Sequence, residues 1–178
     1  MHKAVFLDRD GVLNRCRIEN GKPYAPALYR DFQLYQGVEK QLLRLKAAGF
    51  LLVVVTNQPD VGNKLTSLTE VEKMHEHLDA VTKVDLILAC YHSQNAGCFC
   101  RKPNPGMLHT AAEKMNISPE LSFIIGDRWS DIEAGKSFGC RTILIDRNYK
   151  EKLTTAPWVS TSSLREAITK ILETQLIQ

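Results

Sequence analysis

Two carboxylates two residues apart, in Asp8-Arg9-Asp10-Gly11, open a series of residues whose types and spacing could do chemistry. Thr56-Asn57-Gln58 follows with a hydroxyl beside two amides, Arg101-Lys102 with two cations, and Gly126-Asp127-Arg128 plus Asp131 with two more carboxylates. Carboxylates gathered in one crevice repel each other and take up protons unless a cation offsets them. A hard divalent ion that prefers oxygen ligands, such as magnesium, suits that set. Phosphoryl transfer asks mainly for positioning and for positive charge around the transferred group. Magnesium and Lys102 would supply the charge, while Thr56 and the backbone amides of the first loop would supply hydrogen bonds. A carboxylate can act as the nucleophile and split one hard displacement into two easier steps. Asp10, two residues beyond Asp8 on an irregular loop, can turn back to protonate a leaving oxygen and later activate water.

A second constellation is Cys90-x-His92-x5-Cys98-x-Cys100, three thiols and an imidazole within eleven residues. Soft sulfur with one nitrogen, four ligands in all, is the tetrahedral structural zinc pattern. Such an ion would pin Arg101 and Lys102, the next two residues. Cys16 and Cys140 have no partners of this kind and read as small core or loop residues. The total of five cysteines is odd, which argues against a disulfide framework and for reduced thiols.

The elements that must position these residues are legible as short apolar runs at 4–7, 51–55, 84–89, 122–125 and 142–145, separated by helix-period stretches near 38–48, 68–81, 105–115, 130–138 and 162–175. Runs that are nearly continuous and rich in Val, Ile, Leu and Phe read as strands buried on both faces. Alternating strands and helices in a chain of 178 residues predict one α/β domain over 1–178, a doubly wound parallel sheet with a short flap, no large cap and a stapled loop at 90–100. Ligands in such sheets bind beyond the carboxyl ends of the strands, where the four polar groups fall. Taken singly, an Asp after a strand is more often a turn or cap residue. Four such features in chain order, each at a strand end or helix start, are what mark a site.

A formal net charge of +3 is too weak to imply nucleic acid or a membrane as partner. The longest apolar run, 50–55, is far below a membrane span, and the N-terminus lacks the long apolar region of a secretory signal, so the expected setting is the cytoplasm. Around the site, Arg101 suits a second anionic group on the substrate. Asn57 and Gln58 could bond sugar hydroxyls or cap the next turn, and Arg128 could reach substrate or form a salt bridge at a helix start. Trp129 and Trp158 read as packing residues, His75 and His77 as solvated, and His109 as no ligand.

The ordered set of hhhhDxDG at 4–11, Thr56, Lys102 and GDxxxD at 126–131 resembles the haloacid dehalogenase (HAD) superfamily of phosphatases over essentially the whole chain. The resemblance implies Asp8 as nucleophile, Asp10 as general acid and base, Thr56 on the phosphate and Lys102 steadying both. It implies magnesium between Asp8, the Asp10 carbonyl and Asp127, with Asp131 in support. The zinc loop is similar to that of a subgroup of small members without a large cap, containing the heptose 1,7-bisphosphate and histidinol-phosphate phosphatases. The Arg101–Met107 stretch and the 8–14 opening resemble the heptose type, whereas the short loop between His92 and Cys98 and the Gly126-Asp127-Arg128 stretch resemble the histidinol type. The expectation is therefore a monomer acting on a small phosphorylated metabolite, heptose bisphosphate of the surface-polysaccharide route first and histidinol phosphate as the alternative. A non-catalytic zinc module with the same fold is disfavoured because Asp8 and Asp10 are both present.

Overall fold

The computed structural model describes residues 1–175. Strands β1 (Ala4–Leu7), β4 (Leu51–Asn57), β5 (Leu86–Cys90), β6 (Phe123–Gly126), β7 (Arg141–Ile145) and β8 (Val159–Thr161) form one sheet in the order β5-β4-β1-β6-β7-β8. Every pairing in that sheet is parallel. A separate antiparallel hairpin, β2 (Arg17–Glu19) with β3 (Lys22–Tyr24), is the flap expected between Asp10 and the first helix.

Side chains alternate across a strand, and the core divides accordingly. Val5, Leu7, Leu52, Val54, Phe123 and Ile125 face one way, against α1 (Val38–Ala47), α3 (Leu68–Thr82) and α6 (Leu164–Gln175). Ala4, Phe6, Val53, Val55 and Ile124 face the other way, against α4 (Gly106–Met115) and α5 (Trp129–Phe138). Both faces are therefore covered, which is why these strands read as unbroken apolar runs. Ser67 caps α3 by accepting from Glu70 N, and Gly139 ends α5 in the left-handed conformation.

Among the elements not read from the sequence are a strand and a short helix. Strand β8 is three residues long and carries one buried side chain, so it has no periodicity to betray it. The short helix α2 (Pro59–Gly62) has no buried residue. Its last glycine lies against the backbone of Tyr91, His92 and Ser93, which ties it to the cysteine loop. Among the described residues no helix is long and apolar enough to cross a membrane.

Candidate active site

Strand β1 sits centrally between β4 and β6, so its carboxyl end is where the strand order switches and a crevice opens. Asp8 continues the β6 ladder through its N–H to Ile125 O at 2.9 Å. The chain then turns back on itself: Leu13 N and Asn14 N both donate to Arg9 O, and Gly11 N donates to Asn14 O. Gly11 has φ +83°, and any Cβ there would collide with the Asp127 carboxylate. Gly126 is equally constrained, because the Asp131 side chain crosses over it. The two motif glycines thus let three carboxylates approach one another.

Lys102 lies at the bottom of this cluster. Its Nζ is 2.7 Å from Asp8 Oδ1, 2.6 Å from Asp131 Oδ1 and 2.6 Å from Val55 O. Burial opposes its charge, but the two carboxylates outweigh that and hold its pKa above the usual lysine range. Burial pushes Asp8 up to about 7, against the pull of Lys102, with Asp131 and Asp10 adding to the rise. Asp127 is also pushed well up, by burial and by Asp8 and Asp131. Its Oδ2 accepts from Tyr149 Oη at 2.7 Å, while Oδ1 is buried and bonded to nothing in the protein. Asp131 Oδ2 accepts from Arg128 N at 3.0 Å and so caps α5 while Oδ1 faces Lys102.

Asp10 is held differently. Its carboxylate receives the Arg9 guanidinium at 3.0–3.2 Å, Asn14 Nδ2 at 2.9 Å and Gln58 Nε2 at 2.6 Å. Burial alone would raise its pKa, but these donors, Arg9 first, bring it below the ordinary carboxylate value. Arg9 is itself fully buried, over the ring of Phe32.

The structure shows where the other expected residues fall around this centre. Gln58, expected on sugar hydroxyls or as a turn cap, is buried and bridges Asp10 Oδ2 to Thr56 Oγ1, 2.6 and 2.9 Å away. Asn57 lines the cleft but its amide is bonded to the Lys102 backbone in both directions, to O at 2.9 Å and from N at 3.1 Å. Thr56, expected on the phosphate, is fully buried beneath Gln58. Arg128 pairs with Glu151, the second of the two readings open to it. Arg101 reaches the cleft, and its Nη1 is buried without a partner. His75 is not solvated: burial, with Arg9 beside it, lowers its pKa to about 4. His77 packs edge-on to Tyr29 and Phe32. Trp129 lines the cleft, as does Cys16 from its loop, and Trp158 is 42% exposed against Phe123 and Arg141.

That cleft measures about 570 Å³ and runs from Asp8 and Lys102 out between the flap and the cysteine loop. Its far walls are Lys22 and Tyr24 of the flap and Gln94, Cys98 and Arg101 of the loop. At the loop, Cys90, His92, Cys98 and Cys100 converge: Cys90 Sγ is 3.5 Å from Cys98 Sγ and 3.2 Å from Cys100 Sγ, and His92 Nδ1 is 3.5 and 3.3 Å from Cys90 and Cys100. A tetrahedral ion bonded to sulfur at about 2.3 Å would place the sulfurs ~3.8 Å apart, so the four atoms fit one ion with little adjustment. None of the five cysteines is in a disulfide. The carboxylates Asp8, Asp127 and Asp131 form a second group able to hold a metal, and the bare Asp127 Oδ1 is the kind of buried oxygen that a hard cation completes.

Three residues that the sequence reading passes over also reach the site. Tyr149 bonds Asp127, Arg147 donates twice to Gly11 O at 2.8 and 3.0 Å, and Glu151 pairs with Arg128. All three follow β7, whose carboxyl end points into the same crevice.

Comparison with known proteins places this geometry in context. A family model described as HAD-hydrolase-like matches residues 99–166. The chain is 41% identical over 147 residues to the D-glycero-beta-D-manno-heptose-1,7-bisphosphate 7-phosphatase of Pasteurella multocida, covering 76% of this chain and 77% of that one. It is 33% identical to the protein of that name from Helicobacter pylori strain J99, covering 94% and 95%. Among solved structures it is similar to the D,D-heptose 1,7-bisphosphate phosphatase of B. bronchiseptica complexed with magnesium and phosphate. That match has a TM-score of 0.81, 26% identity and coverage of 97% of this chain and 99% of that one.

Proposed function

This chain belongs to the HAD-like hydrolases, among the D-glycero-beta-D-manno-heptose-1,7-bisphosphate 7-phosphatases, and on that premise we propose that it removes the 7-phosphate of that sugar through a covalent intermediate on Asp8. The observation that carries the mechanism is the Lys102 ammonium bridging Asp8 and Asp131 beside an Asp127 oxygen that no protein group satisfies.

In the first half-reaction an Asp8 carboxylate oxygen bonds to phosphorus and the bond from phosphorus to the sugar oxygen breaks. Asp10 gives that oxygen its proton. In the second half water attacks phosphorus, the bond to Asp8 breaks, and Asp10 takes the proton from water. Arg9, Asn14 and Gln58 favour the ionised Asp10, the form that accepts a proton in the second half, so Asp10 must take up a proton from solvent before it donates in the first. Lys102 holds Asp8 in line and offers positive charge to the phosphoryl oxygens. Gln58 couples Asp10 to Thr56, so the two residues keep a fixed separation. Magnesium, held by Asp8, the Asp10 carbonyl and Asp127 with Asp131 behind, would supply charge at the transferred group.

Zinc at Cys90, His92, Cys98 and Cys100 would be structural, since the protein fills all four positions. Arg101, with a free Nη1 on the cleft wall, would take the sugar's second phosphate. The single compact domain is compatible with a monomer, the modest net charge of +3 offers nucleic acid little attraction, and cysteines outside any disulfide suit a reducing cytoplasm. The test is 31P NMR of D-glycero-D-manno-heptose 1,7-bisphosphate with magnesium and protein: the 7-phosphate resonance should vanish into inorganic phosphate while the 1-phosphate persists. Loss of the 1-phosphate first would overturn the assignment.

A further inference from the structure

Residues 146–151, between β7 and β8, fasten the first and fourth motifs and the flap to one another. Arg147 grips Gly11 O, Tyr149 bonds Asp127, Glu151 pairs with Arg128, and Lys150 N donates to Gly21 O at 2.9 Å at the hairpin turn. Only Tyr149 of these touches a carboxylate of the acidic cluster. Its hydroxyl fixes Oδ2 of Asp127 at 2.7 Å, in space that Gly11 leaves open only because it has no Cβ. With Oδ2 tethered in this way, Oδ1 is buried and has no partner in the protein.

We infer that Tyr149 is a positioning residue for the metal site: by tethering one oxygen of Asp127 it presents the other to the catalytic cation in advance. Groups that orient a metal ligand in this way commonly account for ten- to a hundredfold in metal affinity. A freely rotating carboxylate would have to be ordered when the ion arrives, and the tether removes that cost. The inference rests on the magnesium reading above, and concerns the affinity of the empty site rather than the chemistry of the filled one.

The experiment is isothermal titration of magnesium into phosphate-free wild-type protein and into Tyr149→Phe, with zinc content and melting temperature in chelator measured on both. The Phe variant lacks only the hydroxyl. Its expected magnesium dissociation constant is about ten to a hundred times weaker, with zinc content and the chelated melting temperature unchanged. At saturating magnesium its kcat should return to within about threefold of wild type. A role confined to holding the fold would lower the melting temperature and leave the magnesium affinity alone, and that result overturns the inference. So does an unchanged affinity in a stable variant. Should wild-type protein itself bind no magnesium, the metal reading fails and this inference with it, an outcome distinct from the other two.

Discussion

Asp8→Asn should cut phosphate release at least about a thousandfold, the scale seen when a nucleophile is deleted from a covalent mechanism. The change keeps the shape of the side chain and removes only its nucleophilic charge. Lys102 would retain Asp131 and the Val55 carbonyl, and the two core clusters of the sheet do not involve Asp8. Circular dichroism and zinc content should therefore match wild type. An active, well-folded Asn variant would mean that water attacks the substrate directly and that Asp8 serves only the metal.

The second large effect concerns the cysteine loop. Cys100→Ser removes one of four converging ligands, immediately before Arg101 and Lys102. The loop between His92 and Cys98 is exposed and has little packing of its own. Without an ion, its order would depend on the contacts of α2 and on the Asn57–Lys102 pair. Zinc measured by plasma emission should fall from about one equivalent to near none, since a structural site loses most of its affinity with one thiolate. Activity should fall roughly ten- to a hundredfold, as when the shell that orients a catalytic group is lost. The circular dichroism should change little, because one half of the core lies clear of the loop and the other meets it at Cys90, Cys98 and Cys100 along one edge. Wild-type kcat/KM in a zinc-free variant would show that the loop does not position Lys102.

The elements that were legible were those with a strong physical signature. Four strands buried on both faces and the half-buried edge strand β5 announced themselves as apolar runs, and the helices between them by their period. The carboxylates at the ends of β1 and β6 followed from the rule that ligands gather there. The cysteine cluster was visible because sulfur and nitrogen at that density have few other uses. The misjudged residues were those whose role depends on what sits across from them. Nothing in Thr56-Asn57-Gln58 says that Gln58 turns inward to Asp10 while Asn57 clasps a backbone forty-five residues away. His75 looked solvated among charged neighbours, yet α3 turns it toward buried Arg9. Tyr149 and Arg147 are a different case. The rule that exposed the other groups applies equally to the end of β7, and both residues follow that strand within four positions. They went unread because a tyrosine and an arginine in a loop carry no motif spacing. What makes them part of the site is contact with Asp127 and Gly11, positions more than twenty and one hundred residues earlier.

The substrate is the claim on which the account turns. Phosphate release from D-glycero-D-manno-heptose 1,7-bisphosphate and from histidinol phosphate, measured side by side with magnesium, tests it most directly. The expected kcat/KM is at least about a hundredfold higher for the heptose, roughly 2.7 kcal/mol of transition-state preference, because Arg101 has a second phosphate to hold only in that substrate. A preference for histidinol phosphate would contradict it and make the short loop between His92 and Cys98 the better guide.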